Sequence, residues 1–420
     1  MTDATAHAGR GAHGASPLVY GAGLAQGLAL VCFPAAASVL TSPSGYALSA
    51  TQYGFMFAPQ VILAITAAAL TPVLARTWSL QRVFGIGLVA NLLAMLLLVV
   101  SLWPAPSTLA YVILLFATGC LGIGFGACVS SLNQFAAALR PGREDRSVLT
   151  LNVMLGLGTA LAPVLIAILL PDWWILPLIV SAALVVALVA TWRIRLDPGS
   201  PAPTASQPAP GSQATPGARR PPLPARFWWY VAAVVLYGIC ETLFGNWSSL
   251  YLSGERHLPV ATASAALAAF WAFVTIARVI VALLPARIPS WAVYILLPFL
   301  IALSSLAVAS ASASTAAVLA YAAAGLACSA MLPLSVSFAE REFARWGSTS
   351  SGELIAGYQV GYGIAAFGVA PLTAATGMTI GSVYVVGAGV AVLLAAAAIT
   401  ISRGRAIRFT PSVATSPKES

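Results

Sequence analysis

Charge is what this sequence has least of. Asp, Glu, Lys and Arg make up only 7% of its 420 residues, against roughly 25% in soluble domains, so the chain cannot present an ordinary hydrated surface. That excludes a typical water-soluble enzyme and a disordered protein, whose composition is polar and charged. Acid is scarcer than base: there are 11 Asp and Glu to 20 Lys and Arg, with no acid between Asp3 and Glu144. The five cysteines (Cys32, Cys120, Cys128, Cys240 and Cys328) sit in apolar runs without CxxC spacing. They read as small core residues rather than a disulfide framework or a metal site. The three histidines, His7, His13 and His257, fall outside the apolar runs, and neither GxxxxGK[ST] nor HExxH occurs. ATP-driven pumping and membrane-embedded catalysis are disfavoured accordingly, and no catalytic residue, metal or cofactor is expected. The opening Met1–Ser16 is polar and has no cleavable signal pattern, so the first apolar run is expected to be retained.

What the chain has instead is hydrophobic residues, 60% of the total. A membrane-spanning helix needs about 20 of them, so the pool could fill about twelve spans. Apolar runs fall at about 18–40, 50–74, 83–102, 109–138, 148–170 and 173–193, and resume at about 227–252, 262–285, 291–310, 316–339, 353–377 and 380–401. The gap between the sixes, 197–226, is rich in Pro, Ala, Ser and Gly and reads as a flexible linker. The expected architecture is an all-α membrane protein. A tail (1–17) precedes a six-helix bundle (18–196), the linker (197–226), a second six-helix bundle (227–402) and a closing tail (403–420).

The basic excess is a topology signal. With the N-terminus in the cytoplasm, Arg76, Arg82, Arg140, Arg143, Arg146, Arg193, Arg195, Arg287, Arg341 and Arg345 all fall on the inner side, whereas the outer loops hold only Arg256. Lys/Arg asymmetry sets orientation, which places both termini inside. The bases form no patch with interleaved aromatics, so nucleic acid is not a partner. Trp78, Trp103, Trp173, Trp174, Trp192, Trp228, Trp229, Trp291 and Trp346 lie near span ends, as interfacial anchors do; Trp271 lies well inside a span.

The two halves echo one another. Span 2 ends Val73-Leu74-Ala75-Arg76 and span 8 ends Leu284-Pro285-Ala286-Arg287; Gly156-Leu157-Gly158 precedes Ala162-Pro163 in span 5, and Gly361-Tyr362-Gly363 precedes Ala370-Pro371 in span 11. Such internal repeats mark secondary transporters. Over essentially its whole length the chain resembles the major facilitator superfamily. The loop Leu74 to Arg82 keeps that family's basic residues but not its Gly and Asp. Gly122-Ile123-Gly124-Phe125-Gly126 with Asn133, Gly156-Leu157-Gly158 before Pro163, Glu241 followed by Asn246-Trp247 and Tyr251-Leu252, and Phe270-Trp271 with Arg278 look like the fucose-permease-like sugar:proton symporter branch. The resemblance implies two pseudo-symmetric six-helix bundles, with a central cavity between spans 1, 2, 4, 5 and spans 7, 8, 10, 11.

Polar groups inside a membrane are costly and usually face a cavity or a partner. Glu241 is the foremost candidate: a carboxylate at that depth costs roughly 2.5–3.5 kcal/mol on insertion scales. Proton coupling or substrate contact is expected of it, with a structural hydrogen bond or ion pair as the alternative. Arg278 lies about 10 Å from it along the helix axis, so the favoured reading has Arg278 snorkelling toward the cytoplasm and bracing an inner gate. Asn133 and Asn152, at similar heights on neighbouring spans, are expected to bond either each other or a solute. Gln26, Gln60, Tyr237, Asn246, Trp271 and Gln359 complete the candidate substrate-binding set, with plain packing the favoured alternative for Gln26, Gln60, Tyr237, Trp271 and Gln359. Arg76 and Arg82 on one half and Glu340, Glu342 and Glu353 on the other are expected to close the inner face by ion pairs, or else to be solvated loop charge.

These readings converge on a monomeric multi-pass transporter of the cytoplasmic (inner) membrane, surrounded by lipid. It moves a small polar organic solute, a sugar among the options, by alternating access with protons. An exporter or uniporter of the same fold stays open. So does a non-transporting sensor, because the resembled branch carries acids in spans 1 and 4 that are absent here.

Overall fold

The computed structural model describes residues 3–140, 144–196, 224–283, 289–343 and 348–406. Among them are twelve helical segments long and apolar enough to cross a membrane. They are α1 (Ala15–Thr41), α2 (Ala50–Trp78), α3 (Leu80–Val100), α4 (Thr108–Ala138), α5 (Arg146–Leu169), α6 (Ile175–Arg193), α7 (Phe227–Glu255), α8 (Val260–Val281), α9 (Ser290–Ser310), α10 (Ser314–Glu342), α11 (Glu353–Thr376) and α12 (Ile380–Arg403). Each apolar run of the sequence is found as a span, with ends moved by only a few residues. Most of the expected linker (197–223), Arg143, Arg287, Arg345 and Trp346, and the last residues of the closing tail lie outside the described residues.

The repeat seen in the sequence reappears as packing. In the first half α1 pairs with α5, α2 with α4 and α3 with α6; in the second, α7 pairs with α11, α8 with α10 and α9 with α12. The outward faces of α3, α6, α9 and α12 carry exposed apolar side chains such as Leu93, Val186, Leu303 and Leu393, as helices facing lipid require. Trp78, Trp103, Trp192, Trp228, Trp229 and Trp291 are likewise exposed near span ends.

Glycine sets the two pairings nearest the centre, because small residues let membrane helices approach to backbone contact. A Cβ on Gly158 would lie 2.3 Å from the Leu24 carbonyl oxygen of α1, and one on Gly361 would lie 2.0 Å from the Val235 carbonyl oxygen of α7. These are the glycines that echo between spans 5 and 11. Gly361→Val should therefore force α7 and α11 apart, at a cost of about 1–3 kcal/mol or more, read as a lowered melting temperature of the purified protein.

Several spans are interrupted. The helix containing α1 breaks at Ala36 after Pro34, α2 consists of Ala50–Phe55 and Ala58–Trp78, and α10 consists of Ser314–Cys328 and Met331–Glu342. The α10 break has a cause in sequence. Pro333 has no N–H to give the carbonyl four residues earlier, and its ring crowds that carbonyl. The carbonyl belongs to Ser329, about half-way along the span. In α2, Ser49 and Gln52 form a reciprocal capping box, so Gln52 serves a helix end.

The halves meet toward the end of the molecule opposite the linker, here called the far end. The Tyr53 hydroxyl of α2 donates to the Asn246 carbonyl at 2.9 Å, and Tyr53 stands edge-on to Trp247 with ring centroids 5.7 Å apart. Phe55 and Phe367 approach to 6.2 Å, and a Cβ on Gly54 would lie 2.9 Å from the Ala366 carbonyl oxygen. Nearer mid-depth, Gly156 of α5 packs on Thr275 of α8.

Candidate functional site

Glu241 sits in α7 about 21 Å from Phe227 at a helix rise of 1.5 Å per residue, with only 4% of its surface exposed. Tyr358 of α11, brought close by the glycine-lined crossing, donates to Oε2 at 2.5 Å. The Tyr237 hydroxyl, one turn earlier on α7, lies 2.8 Å from Oε1 and 2.7 Å from the Cys328 carbonyl at the α10 break. A phenol has one hydrogen, and this one faces two acceptors. Both contacts are hydrogen bonds when Tyr237 donates to the carbonyl and accepts from a carboxyl that carries its own hydrogen. An ionised Glu241 would instead compete with Cys328 for the single phenol hydrogen. Tyr237→Phe would leave the carbonyl without its partner, and is expected to cost about 1–3 kcal/mol of stability, again measured by melting.

Arg278 of α8 adjoins this cluster. Its Nε donates to the Ser329 carbonyl at 3.0 Å, the oxygen that Pro333 leaves free. The guanidinium is thus turned toward mid-depth, not toward the linker end as snorkelling would have it. Arg278 lies within electrostatic reach of Tyr237 and Tyr358 but makes no ion pair with Glu241. On the far-end side a second polar layer follows. Asn246 donates to the Tyr362 hydroxyl at 2.9 Å, and the Gln60 amide of α2 stands beside that same hydroxyl. The layer bridges the two halves.

Other sequence candidates lie elsewhere. Gln26 is buried in the first half, accepting from Asn91 of α3 at 2.7 Å. Asn133 and Asn152 do not bond each other: each donates at 2.9 Å to a carbonyl one turn back on its own helix, Val129 and Val148. Gln359 is half-buried on α11. The Trp271 ring packs against Gly245, and its indole N–H is buried without an acceptor. A depression of about 420 Å³ at the far end, lined by Ser42, Tyr46, Trp173 and Val260 among others, shares no residue with these groups. Its one titratable hydroxyl, Tyr46, is pushed up to about 12 by burial, against the lowering effect of its bond to Ser101, so no proton chemistry near neutrality belongs there.

A family model described as "Major Facilitator Superfamily" matches residues 19–367. The chain belongs to that superfamily. Among solved structures it is similar to a mutant of the nucleoside transporter NupG (TM-score 0.73, 13% identity, covering 93% of this chain and 99% of that one). It is also similar to a mutant of the peptide transporter POT in complex with alafosfalin (0.67, 15%, 92% and 95%), and to FucP, a Major Facilitator Superfamily transporter in the outward conformation (0.59, 14%, 92% and 98%). These likenesses show the fold without favouring one branch. No curated protein matches by sequence. As a major facilitator, the chain is a membrane-embedded carrier of a small solute working by alternating access, not a catalyst.

Within this superfamily fold, the charges expected at the gate lie at the linker ends of their spans. Arg76 and Arg82 are exposed, as are Glu340 and Glu353. Glu342 is held within the second half, paired with Arg226 and accepting from the Tyr230 hydroxyl at 2.8 Å. Arg226 also donates to the Ile401 carbonyl, tying together the linker ends of α7, α10 and α12. Sequence reasoning missed Tyr358, Tyr362, Tyr53 and Trp247. The four-residue spacing of Tyr358 and Tyr362 around Gly361 was the available signal.

Proposed function

We propose that this major facilitator is a proton-coupled symporter of a small polar organic solute, a sugar or a molecule of sugar size and polarity, with Glu241 as its proton site. One observation carries the reading: the Tyr237 hydroxyl lies between the Cys328 carbonyl and the Glu241 carboxyl, a geometry completed by a carboxyl hydrogen. Loss of that hydrogen would set Cys328 and the carboxylate in competition for Tyr237, so proton release is felt at the break in α10. The substrate-facing set we propose is Gln60, Asn133, Asn152, Tyr237, Asn246, Trp271 and Gln359, without Gln26, which is buried against Asn91; the named cargoes of similar structures, a nucleoside and a peptide, are polar organic molecules too.

With both termini in the cytoplasm, as loop charge favours, the far end is the outer face, and the contacts sealing it make this an inward-facing state. The inner gate would then close in the opposite state, Arg76 and Arg82 meeting the acids at the end of α10 and the start of α11. Arg278, turned to mid-depth, would brace α8 against α10 there. The test is purified protein in liposomes with a pH-sensitive dye inside. Added solute should carry protons inward along with it; solute flux without proton movement would mean a uniporter, and binding without flux a sensor.

A further inference from the structure

The charge balance of the cluster narrows the cargo. Arg278 has only the Ser329 carbonyl as a partner among the described residues, and its terminal nitrogens are unfilled. The carboxyl beside it does not offset the charge by direct contact: Glu241 makes no ion pair with it among the described residues. A cation drawn toward mid-membrane without a counter-charge is costly unless something supplies one.

Helix periodicity says where that something would sit. Trp271, Thr275 and Arg278 recur at i, i+4 and i+7, one face of α8. Thr275 on that face packs on Gly156 of α5, so the face looks across the boundary between the halves. Asn152 lies one turn before Gly156 on α5, on the same side of its helix, and therefore opposite Arg278. Its Oδ1 accepts from no described residue. Trp271, about 10 Å further along α8, adds an indole N–H without an acceptor. Arg and Trp offer donors only, and a guanidinium binds carboxylate or phosphate in the strong bidentate manner.

We propose that the cargo is a small organic acid whose anionic group binds the Arg278 terminal nitrogens on the side of α8 that faces α5 and Asn152, and that neutral molecules of the same skeleton bind poorly. This rests on the transport reading above and makes the polar solute an anion, such as a sugar acid. The proton on Glu241 then has a second role. An ionised carboxylate there would be a rival for the same guanidinium, so an acid and a proton enter together.

Melting curves of the purified full-length protein in detergent test this, with two sets of probes: a neutral hexose, its uronic acid and its phosphate ester; and benzyl alcohol, benzoate and phenyl phosphate. Ligands that bind the folded state raise its melting temperature. At least one acid should do so while its neutral counterpart does not, and the carboxylate and phosphate arms tell which anionic group is taken. The shift should vanish in Arg278→Gln and persist in part in Arg278→Lys. Asn152→Asp guards against a misfolded Arg278→Gln: it places a carboxylate opposite Arg278 and should abolish the acid's effect without lowering the unliganded melting temperature. Equal shifts with acid and neutral members, an undiminished shift in Asn152→Asp or Arg278→Gln, or no shift with any acid overturns the proposal. Proton coupling is read separately, by the dye in liposomes, so either reading can fail alone.

Discussion

Glu241→Gln is expected to abolish concentrative uptake under an imposed pH gradient while sparing exchange of labelled for unlabelled solute across liposomes at uniform pH. The loss should be on the order of 10²-fold, the usual effect of removing a positioned proton-transfer group. The substitution is chosen for its shape. A glutamine amide oxygen still accepts from Tyr358, and its NH2 donates to the Tyr237 oxygen as the carboxylic acid would, leaving the Tyr237 hydrogen for Cys328. The variant thus imitates one protonation state permanently. If proton release is what resets the empty carrier, the loaded protein still moves solute in both directions, yet cannot harvest the gradient. A Glu241→Gln protein that concentrates solute as well as the parent would remove Glu241 from the coupling step altogether. Loss of both uptake and exchange, with normal melting, would instead make the carboxyl a solute contact.

The fold was legible because membrane insertion acts on runs of about 20 residues, and composition over that length survives any detail of packing. The twelve spans and the echo between the halves follow from it. The site was less legible, because it depends on pairings that a single chain read in order does not reveal. By type Gln26 is a cavity candidate, with packing the favoured alternative. It is packed, but the partner that holds it, Asn91 on α3, is not evident from order along the chain. By sequence Asn133 and Asn152 stand evenly between bonding each other and bonding a solute, and each donates instead to its own backbone. Arg278 lies close to the linker end by sequence, and snorkelling would have followed, had Pro333 not freed a carbonyl at mid-depth on the neighbouring span. That last case was recoverable: a proline inside an apolar run marks an unpaired carbonyl four residues earlier, and an intramembrane arginine is a ready donor for one.

A covalent bridge across the far end is expected to stop transport completely and reversibly. Phe55 of α2 and Phe367 of α11 come from opposite halves, with ring centroids 6.2 Å apart. Cysteines at both positions are within reach of a short bis-methanethiosulfonate reagent. The native thiols interfere little: Cys32, Cys128, Cys240 and Cys328 are buried, and only Cys120 is partly accessible, so a Cys120→Ala background suffices. Opening this end requires Tyr53 to leave the Asn246 carbonyl, and the backbone near Gly54 to leave Ala366 and Trp247. Those contacts are discrete and closely fitted, so the seal opens as a unit by rocking of one half against the other, and one bridge at its rim holds it shut. Uptake by the bridged protein should fall to the level of protein-free liposomes and return when a thiol reductant cleaves the bridge, while either single cysteine variant transports normally with or without reagent. Undiminished transport by the fully bridged protein would mean that the solute passes without separating α2 from α11. The closed far end would then be a fixed floor and no longer one of two alternating gates.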